Sequence, residues 1–437
     1  MAGLTEGTVL GTIVTPAGLT LAKAVPAARV DAFVDPGLGA SPVWHAFAID
    51  RAGIVFNDKF SVVGDERVRI DPHALCVIDE GLVWAPGSFF DQDGNAIPVC
   101  SRGTLARVES RLAAAGLTAQ IGHEIEFLLV DPAGNRLPGD LWAQYGLAGV
   151  LEHEAFVRDA IEALTAAGVA LEQFHPEYGV NQFEISLAPK APVAAADQLI
   201  LTRVLISRVA RKYGLRVSLS PVPFAGSVGN GAHQHFSLWR AGQSLFSGGT
   251  GPHGLTGEGA AAIGGIVRAL PEAESVLCGS IVSGLRMKPG NWAGAYACWG
   301  TENREAAVRF LPATHGNPRG ANVEVKVVDP SANPYFATAA ILGLALDGIQ
   351  THAPLPSEIA IDPQNLSAER RAAAGVVQLS ADQSEALAAL DDSERMRSIL
   401  GDYAVDAILA VRRYEADNYS DLEPGQLADK FRMAWSL

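Results

Sequence analysis

The chain is poor in cysteine: four residues in 437, with no two in a C-x-x-C pair. Cys76, Cys100, Cys278 and Cys298 are widely separated, so they form neither a disulfide framework nor a zinc site, and they suit a reducing compartment. Also missing is any stretch of about 18 apolar residues, which excludes a membrane span by sequence. A long uncharged run, 330–346, contains two prolines, Ser331 and Asn333, and reads as a loop entering a buried helix. Basic residues are in deficit, 33 against 48 acidic, for a formal net charge of −15. That balance argues against nucleic acid or an anionic membrane surface as the main partner. An anionic substrate would need a local basic cluster working against the global field. The N-terminus has neither a basic lead nor a long apolar run, so no signal peptide is expected and the expected location is the cytoplasm. The Gly-rich segment 247–265 lacks the G-K-[ST] ending of a phosphate-binding loop and reads as an ordinary loop.

What is present is a globular composition, 48% apolar and 19% charged, with no internal repeat. Residues 1–20 read as a flexible lead. From 21 to 98, short β-like runs (WHAFAI, GIVF, RVRI, ALCVI, LVWAPGSFF) alternate with Pro, Gly and Asp, which describes a small, mostly β domain. From 99 to 437 helical and strand patterns alternate, and the stretch beyond about Tyr335 is mostly helical.

Four strand-like segments carry the chemistry. Side chains two apart in a strand share a face. In GHEIEFLLV, Glu124 and Glu126 point together, opposite Ile125 and Phe127. Gln182, Glu184 and Ser186 share a face in NQFEISL; His233, His235 and Ser237 do so in AHQHFSL, and Asn322, Glu324 and Lys326 in NVEVKVV. A solvated sheet face would account for any one of these. Taken together, with Glu177 just ahead of its strand, they gather carboxylates and imidazoles that repel one another unless cations lie among them. Mostly oxygen donors favour Mg²⁺ or Mn²⁺ over zinc.

Beside them is a basic group: Arg286, Lys288, Arg304 and Arg309, with Lys326 close behind. REAAVRF reads as an edge of the same sheet. Arginine forks match phosphate and carboxylate oxygens, and an acidic metal cluster beside an arginine cluster is equipment for phosphoryl transfer.

Five ordered blocks, GHEIEFLLV, HPEYGVNQFEI, GNGAHQHFSLW, RMKPGNWAGAYACWGTENREAAVRF and ANVEVKVVDPSANPYFATAAIL, resemble the glutamine synthetase family from about residue 20 to 437. The resemblance implies an α+β fold: a β-grasp-like N-terminal domain and a catalytic domain with a curved, mostly antiparallel sheet backed by helices. It implies Glu126, Glu177 and Glu184 around the metal near the acceptor, and Glu124, His233 and Glu324 around the metal that grips the nucleotide phosphates. It further implies nucleotide contacts at Glu172, His235 and Ser237, phosphate contacts at Arg304 and Arg309, and glutamate binding at Gly229 and Arg286. Two or three Mg²⁺ or Mn²⁺ ions, ATP as co-substrate, and a dodecamer of two hexameric rings with sites between subunits complete the expectation.

Three departures bear on the substrate. Trp292 sits where glutamine synthetases place the Glu that takes a proton from ammonium, and an indole has no basic site at neutral pH. It offers instead a π face to an organic ammonium. The stretch P-G-x-W-x-G resembles the γ-glutamylpolyamine and γ-glutamyl-monoamine synthetase branch. Lys326 replaces an arginine of R-x-E-x-R, leaving charge at a glutamate- or phosphate-binding position but no fork, and Val180-Asn181 alters the turn before Gln182. With Ser367 where some relatives carry a modifiable Tyr, adenylylation is not expected. The expected reaction is ATP-dependent ligation of the glutamate γ-carboxylate to an organic amine through γ-glutamyl phosphate. The alternatives are a true glutamine synthetase using ammonia, with Trp292 merely packing, and a non-catalytic relative that has kept the ring. Asp58 and Asp65 are candidates to hold the far end of a longer amine. His45, His73, His153, His253, His315 and His352 read as surface or capping residues; His123 and His175 sit beside the ligand strands, and His123, facing away from Glu124 by alternation, reads as core or as a support behind the ligands.

Overall fold

A computed structural model describes residues 6–437 apart from Asp58, which with residues 1–5 lies outside the described residues. The first sheet comprises β1 (Thr8–Val14), β2 (Thr20–Pro26), β3 (Leu38–Ala40), β4 (Glu66–Ile70), β5 (Cys76–Asp79) and β6 (Leu82–Phe90). Its order is β2-β1-β6-β4-β3, with β5 on the side of β6 and a parallel β1–β6 pair inside an otherwise antiparallel sheet. The short helix Val30–Val34 packs its Phe33 into this sheet, giving a β-grasp-like unit.

The expected lead over 1–20 is corrected for its described part. TVLGTIV alternates, Val9 and Ile13 are buried in the small core, and Thr12 Oγ1 accepts a hydrogen bond from the buried Trp84 indole. WHAFAI and GIVF are not strands: Pro42–His45 forms a 3₁₀ turn, and only an isolated Phe47–Ile54 bridge remains. His45 is core, not surface. Its Nε2 lies 2.8 Å from Glu66 Oε2, and its ring packs against Phe60 and Phe89.

The second sheet holds β7 (Leu117–Val130), β8 (Leu171–Pro176), β9 (Gln182–Leu187), β10 (Arg216–Ser218), β11 (Gln234–Arg240), β12 (Gln243–Ser244), β13 (Tyr296–Thr301), β14 (Ala306–Leu311), β15 (Asn322–Val325) and β16 (Val377–Gln378). The order is β16-β13-β14-β15-β11-β7-β9-β8, with β10 on β7 and β12 on β11; only β13–β14 is parallel. β14 therefore lies inside the sheet, not at the edge that REAAVRF was expected to form.

Helices back one face. Ser101–Ala114 ends where Gly116, at φ 71°, reverses the chain, and Pro192–Lys212 lies buried against β7. Pro334–Gln350 starts at an Asn333 cap that accepts the Tyr335 and Phe336 amides, as the run of uncharged residues predicted. The expected Gly-rich loop is half helix: Gly257–Leu277 begins at Thr256. Its glycines serve packing, since a Cβ on Gly265 would come within 2.5 Å of Gly348 Cα on the helix Pro334–Gln350. Among the described residues no helix is long and apolar enough to cross a membrane, and all four cysteines are free.

Candidate active site

The open face of the second sheet carries the charged residues, and strand register decides who meets whom. Across β9 and β7, Glu184 stands opposite Glu126 and Ser186 opposite Glu124. Further across, Gly122 of β7, His235 of β11, Glu324 of β15 and Arg309 of β14 form one row. His233 lies just before β11, where its carbonyl accepts the Glu124 amide. Two like charges directly opposite on a sheet destabilise it, so the Glu126–Glu184 pair is costly unless something cationic shares the space.

The ligand atoms fall into two groups, each within 4.8 Å: Glu124 with His235 and Glu324, and Glu124 with Glu184 and His233. Glu124 is common to both, and the His235 ring, expected as a nucleotide contact, lies within reach of Glu124 and Glu324. His233 Nδ1 is 3.1 Å from Glu124 Oε2 and 3.5 Å from Glu324 Oε1, while His235 Nε2 is 3.4 Å from Glu124 Oε1. Glu126 and Glu177 belong to neither group but border them. Glu126 Oε2 accepts the Gly231 amide at 2.8 Å and the Gln182 side-chain amide at 3.2 Å; Glu177 Oε1 accepts the Tyr145 hydroxyl at 3.0 Å.

Charge is distributed unevenly along the face. Burial, with Glu126 and Glu184 adding repulsion, pushes the Glu177 carboxyl up to about 7. Burial also raises Glu184 to about 7, against the pull of His175, whose Nε2 lies 3.2 Å away. At the other end the balance reverses. Burial opposes ionisation of Glu324, yet Lys326, His235 and His233 hold it down at about 2. Lys326 Nζ sits 3.1 Å from Glu324 Oε1, and Arg309 Nη1 donates to Oε2 at 2.9 Å.

Arg286 is buried, its guanidinium donating to the carbonyls of Val327 and Lys326 at 3.1 Å each, with Nη2 3.4 Å from His233 Nε2. Gly229 is required here by close approach: a Cβ would lie 2.9 Å from Arg286 Cγ and 2.8 Å from the Pro221 carbonyl. Arg304 is exposed in the β13–β14 turn, and among the described residues no hydrogen bond or ion pair joins it to the cluster. A cleft of about 260 Å³ runs beside the His235 row, with Glu124, Glu172, Ser237, Asn317, Arg319 and Asn322 in its wall. Glu172 thus stands at the exposed rim of the cleft that His235 and Ser237 also line. Trp292 is half-exposed, its ring 5.3 Å from that of Tyr178, next to Glu177. Asp65 is exposed; Asp58 lies outside the described residues.

The sequence profile described as glutamine synthetase, catalytic domain, matches residues 98–426. The chain belongs to the glutamine synthetase family. Gamma-glutamylpolyamine synthetase GlnA3 of Streptomyces coelicolor is 38% identical over 434 residues, covering 98% of this chain and 93% of that one. Glutamine synthetase of Pyrococcus abyssi is 29% identical over 407 residues, covering 92% and 88%. Among solved structures, a novel glutamine synthase homolog superposes with a TM-score of 0.88 at 29% identity, covering 98% and 99% of the two chains. A GmaS–ADP complex gives a TM-score of 0.83 at 26% identity, covering 96% and 95%.

Ligases of the glutamine synthetase family use divalent metals, and this donor set fits them. The Glu177 Oε2 and His235 Nε2 atoms are buried with no hydrogen-bond partner. A Cβ on Gly231 would press into His233 Nε2 and lie 3.0 Å from Glu126 Oε1, so glycine keeps open the space between two donors. Oxygen donors in the majority, with two imidazoles, suit a hard cation.

Sequence reasoning missed Tyr145, Asn317, Arg319 and the role of Asn322, whose Oδ1 lies 2.8 Å from His235 Nδ1 and orients that ring. Arg319 left a signal, an arginine in the Asn- and Gly-rich loop just before β15. Tyr145 left none, because only the tertiary fold brings 139–146 beside Glu177.

Proposed function

We propose that the chain joins the γ-carboxylate of glutamate to an organic amine, using ATP, through γ-glutamyl phosphate. The observation that carries this reading is Trp292: an indole on the loop after Arg286, packed edge-on against Tyr178 at the acidic end of the face. It fits an alkyl ammonium by apolar contact and cation–π attraction and has nothing to offer as a base toward ammonium. The name of the Streptomyces relative, a polyamine ligase, supports the same class.

In this reading ATP enters the cleft along Glu172, Ser237, Arg319 and His235. Its phosphates run toward Arg309, with Arg304 on the neighbouring turn adding positive charge. Glutamate is held by Arg286 beside Gly229, with Lys326 adding charge. Mg²⁺ or Mn²⁺, two or three per site, would be held by Glu124, Glu184, His233, His235 and Glu324, with Glu126 and Glu177 alongside; when bound they neutralise phosphate oxygens and template the reactants. A γ-carboxylate oxygen attacks the terminal phosphorus and ADP leaves. The amine nitrogen then attacks the acyl carbon, phosphate leaves, and a proton departs from nitrogen. Arg309 and Arg286 stabilise the charge that develops, while Trp292 and the acidic end place the nitrogen.

Residues up to 98 would form the N-terminal domain, and the assembly would be a dodecamer of two rings in the cytoplasm. Exposed apolar residues on both units, Val62 and Val63 on one and Leu141 and Leu147 on the other, support subunit contacts. The test is phosphate release from ATP with Mg²⁺ and glutamate across ammonium, ethanolamine, alkylamines, putrescine and spermine. Strong turnover with an organic amine and little with ammonium is expected; preference for ammonium refutes the reading of Trp292, and silence across the panel favours a non-catalytic relative.

A further inference from the structure

Glu305 lies in the turn between β13 and β14 and is 8% exposed. Its Oε1 accepts the Trp292 backbone N–H at 3.0 Å, and its Oε2 is buried without a hydrogen-bond partner. A half-satisfied buried carboxylate destabilises a fold. A neutral acceptor such as Gln would fill a packing role without burying that charge.

The residue it holds is itself strained. Trp292 has φ 52°, a left-handed backbone uncommon for a bulky side chain, which persists only where the surroundings impose it. Glu305 grips this backbone from beneath. From the side, Tyr178 meets the indole at 5.3 Å with ring planes 70° apart. Tyr178 directly follows Glu177, so the contact ties the loop after Arg286 to the acidic end of the site. Both rings keep substantial exposed surface, 45% for Trp292 and 39% for Tyr178.

We infer that Glu305 is a positioning residue for amine selectivity: together with Tyr178 it clamps Trp292 in its left-handed conformation across the mouth of the acceptor site. This rests on the ligase reading above. Clamped, the indole forms one wall of a slot whose other wall is the carboxylate cluster, and an alkyl ammonium fills both. Released, Trp292 relaxes to an ordinary backbone and the apolar wall is lost, while the nucleotide cleft and the Arg286 pocket are untouched. Ammonium, having no alkyl chain, gains nothing from the wall.

The test uses the full chain and the amine that wild type turns over best. The Michaelis constants for amine, glutamate and ATP are measured for Glu305→Ala, Glu305→Gln, Trp292→Ala and the Trp292→Ala/Glu305→Ala pair. Glu305→Ala is expected to raise the amine KM about tenfold, the loss of one charge-assisted hydrogen bond, with glutamate and ATP constants within about twofold. Glu305→Gln, which keeps a carbonyl acceptor for the Trp292 amide, is expected within about threefold of wild type. On the Trp292→Ala background Glu305→Ala should add nothing, because the residue acts through the indole. If Glu305→Ala does not fold, Tyr178→Ala carries the same test, with an amine-only rise in KM that vanishes when Trp292 is already Ala. Equal losses for all three substrates, or an effect that persists in full without Trp292, overturn the clamp and leave the ligase reading standing. A wild type silent with every amine overturns the ligase reading and the clamp with it.

Discussion

Replacing Glu177 with Gln should make the metal-free protein more stable while removing activity. Burial and the neighbouring Glu126 and Glu184 push the Glu177 carboxyl from 4.5 up to about 7. Because the folded-state value lies above the ordinary one, ionising Glu177 opposes folding. The penalty is absent below about pH 4.5, grows as pH rises, and is complete above about pH 7. At full ionisation such a displacement corresponds to about 3 kcal/mol; the side chain is partly exposed, and screening reduces that to about 1–2 kcal/mol. Gln keeps the Tyr145 hydrogen bond and drops the charge. Thermal melts in EDTA should therefore show Glu177→Gln about 1–3 °C above wild type at pH 8 and level with it near pH 4.5. Saturating Mn²⁺ should reverse the order, because only wild type gains the full binding free energy. Glu324→Gln, tested alongside, should do the opposite in EDTA: it strips the counter-ion from buried Lys326 and from Arg309, destabilising by about 2–4 kcal/mol. A Glu177→Gln protein less stable than wild type at pH 8 without metal, or a wild type whose midpoint ignores Mn²⁺, would refute the argument.

Gly231→Ala should abolish Mn²⁺ binding by calorimetry with the fold retained in circular dichroism, since its methyl would fill the space beside His233 Nε2 and Glu126 Oε1. Arg319→Ala should raise the ATP KM about fivefold, roughly one ionic contact, and leave the amine KM unchanged. Glu274, on the helix Gly257–Leu277, is pushed up to about 7 by burial, so its ionisation takes folding free energy from the protein as pH rises from about 4.5 to 7. Glu274→Gln should flatten that slope and raise the melting midpoint at pH 8, by about 1–3 kcal/mol in stability, with turnover unaffected.

The chemistry was legible because strand alternation is local. Glu124 with Glu126, and His233 with His235, share a face by spacing alone, and register in the folded sheet brings those faces together. Which donor atoms come within reach of one another was not legible. That depends on β11 lying between β7 and β15, a pairing of segments about a hundred residues apart, which sets His235 beside Glu124 and Glu324. The lead over 8–20 was misread because β1 gains its strand identity from β6, some seventy residues on. The helix at 257 was misread because its glycines, poor helix formers in isolation, are selected by close contact with Gly348. Trp292 was legible as an oddity, but its left-handed backbone and its hold on Glu305 were not, since neither leaves a periodic trace.

The register also answers how a chain of net charge −15 receives polyanions. The sheet sorts its charge by position. At one end Glu126 and Glu184 face each other across β7 and β9, with Glu177 beside them and His175 against Glu184; at the other, Arg309 and Lys326 pair with Glu324, which Lys326 and the two imidazoles keep ionised. The two imidazoles and Glu124 stand between. A cationic amine and an anionic phosphate are thus drawn to opposite ends of one face, about a few strand spacings of 4.8 Å apart, and the glutamate γ-carboxyl that must react with each in turn belongs in the middle. The acidic surplus of the whole molecule is no obstacle to this. It favours arrival of the amine, and the phosphates meet a basic end whose field, in a site walled by protein, outweighs the more distant and screened charges of the surface.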